Sequence, residues 1–162
     1  MRRVLSLTFA GLFVLAAAAQ AQAQVLTFTA TLTGGNEVPP VPATGAGGTA
    51  TVTLDMGADT VSWVVDVYNL PTGATQGHIH VGAPEVAGPV VINFTVPAGI
   101  SNDFRISGTA RASDLVLRAA QGIGSWEDFE QAMNLGLTYV NVHTQVNGGG
   151  EVRGQLIRVT QF

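Results

Sequence analysis

Val25-Leu26-Thr27-Phe28-Thr29-Ala30-Thr31-Leu32-Thr33 alternates strictly, with Leu26, Phe28, Ala30 and Leu32 on one side and the threonines on the other. A period of two marks a strand with one face in a core and one in water, and the branched threonine side chain suits the wet face. Thr49 to Asp55 repeats the pattern, with Ala50, Val52 and Leu54 against polar partners. Thr60 to Val67 follows after a Met56-Gly57-Ala58-Asp59 turn, and strands this closely spaced predict an antiparallel meander. The segment from Gly34 to Pro42 between the first two strands contains Pro39, Pro40 and Pro42, which remove donors and forbid regular structure.

Further strands are predicted around His78, at Pro89 to Phe94 and at Phe104 to Thr109. The Pro89 to Phe94 run is almost continuously apolar, which predicts cover on both faces. Residues 113–135 break the β pattern. Ser113 is expected to cap a short turn that Gly122 ends, and Ser125-Trp126-Glu127-Asp128 has the spacing of an N-terminal cap. Phe129, Ala132 and Met133 then share a helix face, and Gly136 stops the run. A last hairpin joins Leu137 to Thr144 with Glu151 to Val159 through a glycine-rich loop. The fold class is therefore all-β, a Greek-key β-sandwich or barrel with one short helical insertion near residues 113–135. Trp63 and Trp126 are expected to be core residues.

All three histidines fall in strand-like stretches, Gly77-His78-Ile79-His80-Val81-Gly82 and Tyr139-Val140-Asn141-Val142-His143-Thr144. Strand parity puts His78 and His80 on one side with Ile79 opposite, and Tyr139, Asn141 and His143 on one side with Val140 and Val142 opposite. If the two strands converge, three imidazoles meet. Three neutral imidazoles with a fourth position open suit copper first and zinc second. Asn141 and Glu151 are candidate acceptors for the imidazole N–H groups. Arg153 is the motif-level candidate for an anion-attracting charge, although the glycine-rich loop leaves the hairpin register, and so its face, open. Glu37 reads as a loop acid capping backbone donors. Asp66 and Asp114 have no second carboxylate at a spacing that suggests acid–base chemistry, and no serine sits in a nucleophile-elbow motif.

The first residues are set apart from this domain. Arg2 and Arg3 precede an apolar run from Val4 to Ala19, and small residues at Ala19, Ala21 and Ala23 suit cleavage of a secretory signal after Ala21 or Ala23. The run is shorter than the roughly 20 residues of a membrane-spanning helix. We therefore expect a signal peptide over residues 1–21, a mature domain over residues 25–160, and a periplasmic or extracellular destination. There is no cysteine, so the exported domain must rely on its core alone. All seven basic residues are arginines, and the formal charge is −4 before Arg2 and Arg3 are lost. Without a basic cluster, nucleic acid is not an expected partner.

Five stretches, namely residues 34–40, 77–82, 88–91, 139–144 and 150–156, together resemble the CHRD domain, the repeated module of chordin that also occurs in exported microbial proteins. They stand in the family's order over nearly the whole mature chain. The resemblance implies a secreted binding module, with an extracellular protein or polysaccharide as its partner. More distantly, the His78-Ile79-His80 strand, His143 at the end of a later strand and Arg153 on the next are similar to the copper side of copper/zinc superoxide dismutases. That likeness implies His78, His80 and His143 as copper ligands and Arg153 as the guanidinium that attracts superoxide. The chain departs from it in lacking further histidines for a zinc site and a cysteine pair. A binding module with a three-histidine metal site is thus the first reading, and a copper-dependent redox enzyme of superoxide-dismutase type the alternative.

Overall fold

Strands β1 (Val25–Thr33), β2 (Gly47–Asp55) and β3 (Thr60–Tyr68) form the expected meander in a computed structural model that describes residues 24–42 and 45–160. The expected signal peptide lies outside the described residues. Phe28 pairs with Val52 and Val52 with Trp63, while Ala30, Ala50 and Val65 form the next row. Directly opposed residues share a face, so these rows are buried while Thr29 and Thr31 stay exposed. The β2–β3 turn is held by Asp55, whose Oδ1 accepts from the amides of Gly57 and Ala58.

The remaining strands are β4 (Ala74–Val81), β5 (Val90–Asn93), β6 (Phe104–Arg111), β7 (Thr138–Thr144), β8 (Val152–Gln155) and β9 (Ile157–Arg158). They complete one antiparallel sheet ordered β5-β4-β7-β8-β1-β2-β3-β6, with β9 also on β1. The sheet curls into a near-barrel, and residues from its two ends meet inside. Trp63 of β3 stacks on Phe94, just past β5, with ring centroids 4.4 Å apart. Gly108 makes room for that indole, since a β-carbon there would overlap its ring. Helix α1 (Trp126–Asn134) contributes Trp126, Phe129 and Met133 to the same core. Its cap is the expected one: Ser125 Oγ accepts from the Asp128 amide at 3.2 Å. Gly136, at φ +69°, follows its end.

Four local expectations are corrected or refined. Gly34–Asn36 forms one 3-10 turn before the prolines take over. Ser113 does not cap a turn: it lies within the 3-10 turn Ala112–Asp114, and Asp114 supplies the capping oxygen to the Arg111 amide at 2.8 Å. The last strand is two pieces, because fully buried Leu156 breaks the ladder between β8, which pairs with β7 and β1, and β9, which pairs with β1 alone. Strand β5 is covered on both faces, as expected, with Val91 and Ile92 both buried. It nevertheless stands at an edge of the sheet, where the Val116 amide and Arg118 Nε bond its outer carbonyls.

Candidate metal centre

Strands β4, β7 and β8 carry two chemistries on opposite faces. Register pairs His78 with Asn141, His80 with Tyr139, Gln76 with His143 and Asn141 with Arg153. Ile79, Val140, Val142 and Val152 alternate with these and are fully buried in the hydrophobic core. The opposite face is polar yet also buried, roofed by the loops around residues 34–41, 82–88 and 145–150. The register also answers the question left open for Arg153, which shares the face of Asn141 and His143.

His78, His80 and His143 are only 8, 7 and 6 % exposed, and their ligand-capable nitrogens lie within 4.8 Å of one another. His80 Nδ1 is 2.8 Å from the Gly88 carbonyl oxygen, and His143 Nδ1 is 3.1 Å from that of Gly148. A carbonyl only accepts, so each of these nitrogens carries the hydrogen and leaves Nε2 of its ring as a bare lone pair. His143 Nε2 is 3.0 Å from His78 Nδ1, whereas the buried His80 Nε2 has no hydrogen-bond partner.

Electrostatics keeps the rings neutral. Burial, with the neighbouring imidazoles His143 and His80, pushes His78 down to about 4. Burial also takes His80 to about 4 against the pull of its Gly88 hydrogen bond, and lowers His143. The cluster therefore presents lone pairs rather than charges at neutral pH, which is the form a metal ion takes up.

Tyr139 packs against this cluster. Its ring stacks on His80 at 4.9 Å, and the Arg153 guanidinium lies 3.5 Å over its centroid. Arg153 therefore meets the cluster through an intervening phenol ring. Tyr139 Oη donates to the Gly88 carbonyl and accepts from the Gly88 amide, so one glycine holds both His80 and Tyr139.

The acceptors expected for the imidazole N–H groups are elsewhere. Asn141 Nδ2 donates to Glu37 Oε2 at 3.4 Å, and Glu151, fully buried, accepts from Thr144 Oγ1 and Asn147 Nδ2. Gly88 and Gly148 carbonyls do that work, and Glu151 bears on it indirectly by bracing the loop that presents Gly148. Glu37 does not cap backbone donors as expected; it reaches inward to Asn141. Burial raises its carboxyl to about 7, against the lowering effects of Arg153 and Asn141, with Glu151 adding to the rise. Gly150, at φ +139°, admits this carboxylate because a β-carbon there would come within 2.6 Å of both its oxygens. Asp66 is spent on a solvent-exposed surface ion pair with Arg105, where water screens the attraction.

These shifts predict how the metal-free chain responds to acid. Between about 6.5, the ordinary value, and about 4, the unfolded histidines take up protons that folded His78 and His80 refuse, so stability falls as pH drops through that window. Glu37 acts oppositely: between its ordinary 4.5 and about 7 the folded chain keeps its proton, so its contribution weakens as pH rises. Two imidazoles outweigh one carboxyl, and the thermal midpoint of the metal-free protein is expected to fall on acidification. In Glu37→Gln the fall should be steeper. A midpoint that holds level or climbs from pH 6.5 to 4 in the wild type would contradict the assignments of His78 and His80.

The fold and the cluster define an antiparallel β-domain with a three-histidine group that can hold a metal ion. The family model described as CHRD domain matches residues 28–156, and the chain belongs to that family. No curated protein and no solved structure matches it. No helix among the described residues is long and apolar enough to cross a membrane.

Proposed function

We propose that this chain is an exported CHRD binding module in which His78, His80 and His143 hold one metal ion, copper before zinc. The observation that carries the reading is His80 Nε2, a buried lone pair without a partner beside two other imidazole nitrogens. A buried acceptor left unpaired costs about 1–3 kcal/mol, and a metal ion would answer it together with His143 Nε2 and with His78 Nδ1 once the proton that nitrogen gives to His143 Nε2 is displaced. The donor set fits such an ion. Carbonyl-anchored Nδ1–H groups fix the rings of His80 and His143, the support metal-binding histidines ordinarily have. Three imidazoles leave a position open, and the Irving–Williams order favours copper over zinc at a nitrogen site. Membership of the CHRD family supports the binding-module reading, with an extracellular protein or polysaccharide as the partner class.

The test is metal analysis of the protein recovered from its native compartment without added metal. Copper at about one ion per chain is the expected result. Zinc at that ratio would keep the site and correct its metal; chain free of metal, and taking up none on titration with copper or zinc, would reduce the histidines to a hydrogen-bonded cluster.

A further inference from the structure

Arg153 also lines a half-open cavity of about 480 Å³ bordered by residues of the 34–40 and 82–88 loops. That volume falls in the range of small-molecule sites. Its walls combine apolar Val38, Pro40 and Pro84 with the polar groups of Glu37, Arg153 and, on the exposed 82–88 loop, Glu85. We propose that this cavity is a second ligand site, separate from the imidazole cluster, which takes a small organic carboxylate on an apolar body with Arg153 as its anchor.

Arg153 is 3 % exposed, and the hydrogen bond its guanidinium makes among the described residues is from Nη2 to the Ala83 carbonyl at 3.2 Å. A guanidinium has five N–H donors in a planar fork, and burying its charge is costly without an anion nearby. Tyr139 covers one face of the plane, which orients the fork without neutralising it. Glu37 is 5 % exposed, and its Oε1 is buried with no hydrogen-bond partner. Two buried polar groups incompletely satisfied by the protein thus border one cavity.

Their chemistry selects the ligand. A carboxylate matches the guanidinium fork with two parallel bonds. Glu37, which burial holds as an acid up to about 7, donates to the same carboxylate when protonated. A dianionic phosphate is poorly served by one cation in a cavity that Glu37 and Glu85 also line, and a cationic ligand would meet Arg153. The prolines and Val38 supply contact for a ring or short chain, not for further charge.

The full mature chain, labelled with nitrogen-15, is titrated with benzoate, benzamide and inorganic phosphate. Amide signals of Gly35, Asn36 and Glu37 and the Nε–H of Arg153 report binding. Benzoate is expected to saturate with Kd of about 1 mM or tighter at about pH 6 and to weaken at about pH 8 as Glu37 ionises. Benzamide and phosphate should not saturate. Arg153→Lys keeps the charge but loses the fork, and should weaken benzoate about tenfold or more. Glu37→Gln, which stays neutral, should bind benzoate equally at both pH values. The charged groups acting on Glu37 are Arg153 and Glu151, with Asn141 as its hydrogen-bond partner and Glu85 on the same cavity wall, so only its own ionisation is removed by that change. Absence of saturation by benzoate, equal binding of benzamide or phosphate, or unaltered benzoate affinity in Arg153→Lys would overturn the proposal. The benzoate and benzamide comparison on the unmutated chain decides the matter even if a variant fails to fold.

Discussion

His80→Ala and His143→Ala are each expected to take copper uptake from about one ion per chain to less than about a tenth of that. Removal of either imidazole leaves two nitrogens at a position built for three, and no other histidine exists to replace it. The change should not unfold the domain. Both side chains lie on the polar face of β4 and β7, while Ile79, Val140 and Val142 keep the hydrophobic face intact. His80→Ala does leave the Gly88 carbonyl without its imidazole donor and Tyr139 without its stacking partner, so a loss of about 1–2 kcal/mol in the metal-free protein is expected. The metal-dependent readout separates ligation from this packing loss. Copper at a thousandfold excess over Kd stabilises a binding protein by about 4 kcal/mol, which the wild type should show and both variants should lack. Undiminished uptake in the two variants would remove the histidines from the metal site.

Strand parity made the central part of this site readable before any coordinates. Ile79 and Val140 between the polar residues declare which side faces the core, so His78, His80, Tyr139, Asn141 and His143 could be placed by alternation alone. The same logic gave the meander and, with Ser125 and Gly136, both ends of α1. What alternation cannot carry is chain reversal and loop packing. Leu156 continues an apolar pattern but breaks the ladder, because β9 leaves β8's line to pair with β1 alone. The nearly continuous apolar run at β5 announced two covered faces correctly yet gave no indication of its edge position, since burial and strand order are separate properties.

The partners of the imidazoles were harder still to read. Asn141 and Glu151 have side chains that advertise hydrogen bonding, whereas the observed acceptors are backbone carbonyls of Gly88 and Gly148. Every residue has such a carbonyl, so no residue type marks it. Glu37 was misread for a related reason: its inward turn depends on Gly150, whose φ of +139° and missing side chain leave room for it. That dependence joins two loops separated by more than a hundred positions, and only their folded proximity reveals it.

Among glycine-to-alanine changes, Gly88→Ala should be the most damaging. A β-carbon at this position would overlap the Val81 carbonyl oxygen, a backbone atom of β4 that no side-chain rotation can move aside. The 82–88 loop must therefore shift, and three hydrogen bonds shift with it: His80 Nδ1 to the Gly88 carbonyl at 2.8 Å, Tyr139 Oη to the same oxygen at 3.1 Å, and the Gly88 amide to Tyr139 Oη at 3.0 Å. Loss of that bracket frees the His80 ring and its tautomer, and second-layer losses of this kind cost metal sites about 10–100-fold in affinity. Stability should drop by about 3 kcal/mol, at the upper end of ordinary substitutions. Gly149→Ala is the matched control, because a β-carbon there meets nothing within 4 Å. Copper titration and thermal unfolding of the two variants side by side check the argument: Gly149→Ala should track the wild type, and Gly88→Ala should lose both affinity and midpoint. If Gly88→Ala binds copper like its control, the Gly88 carbonyl does not set the His80 ring, and the metal site must be held by the strands alone.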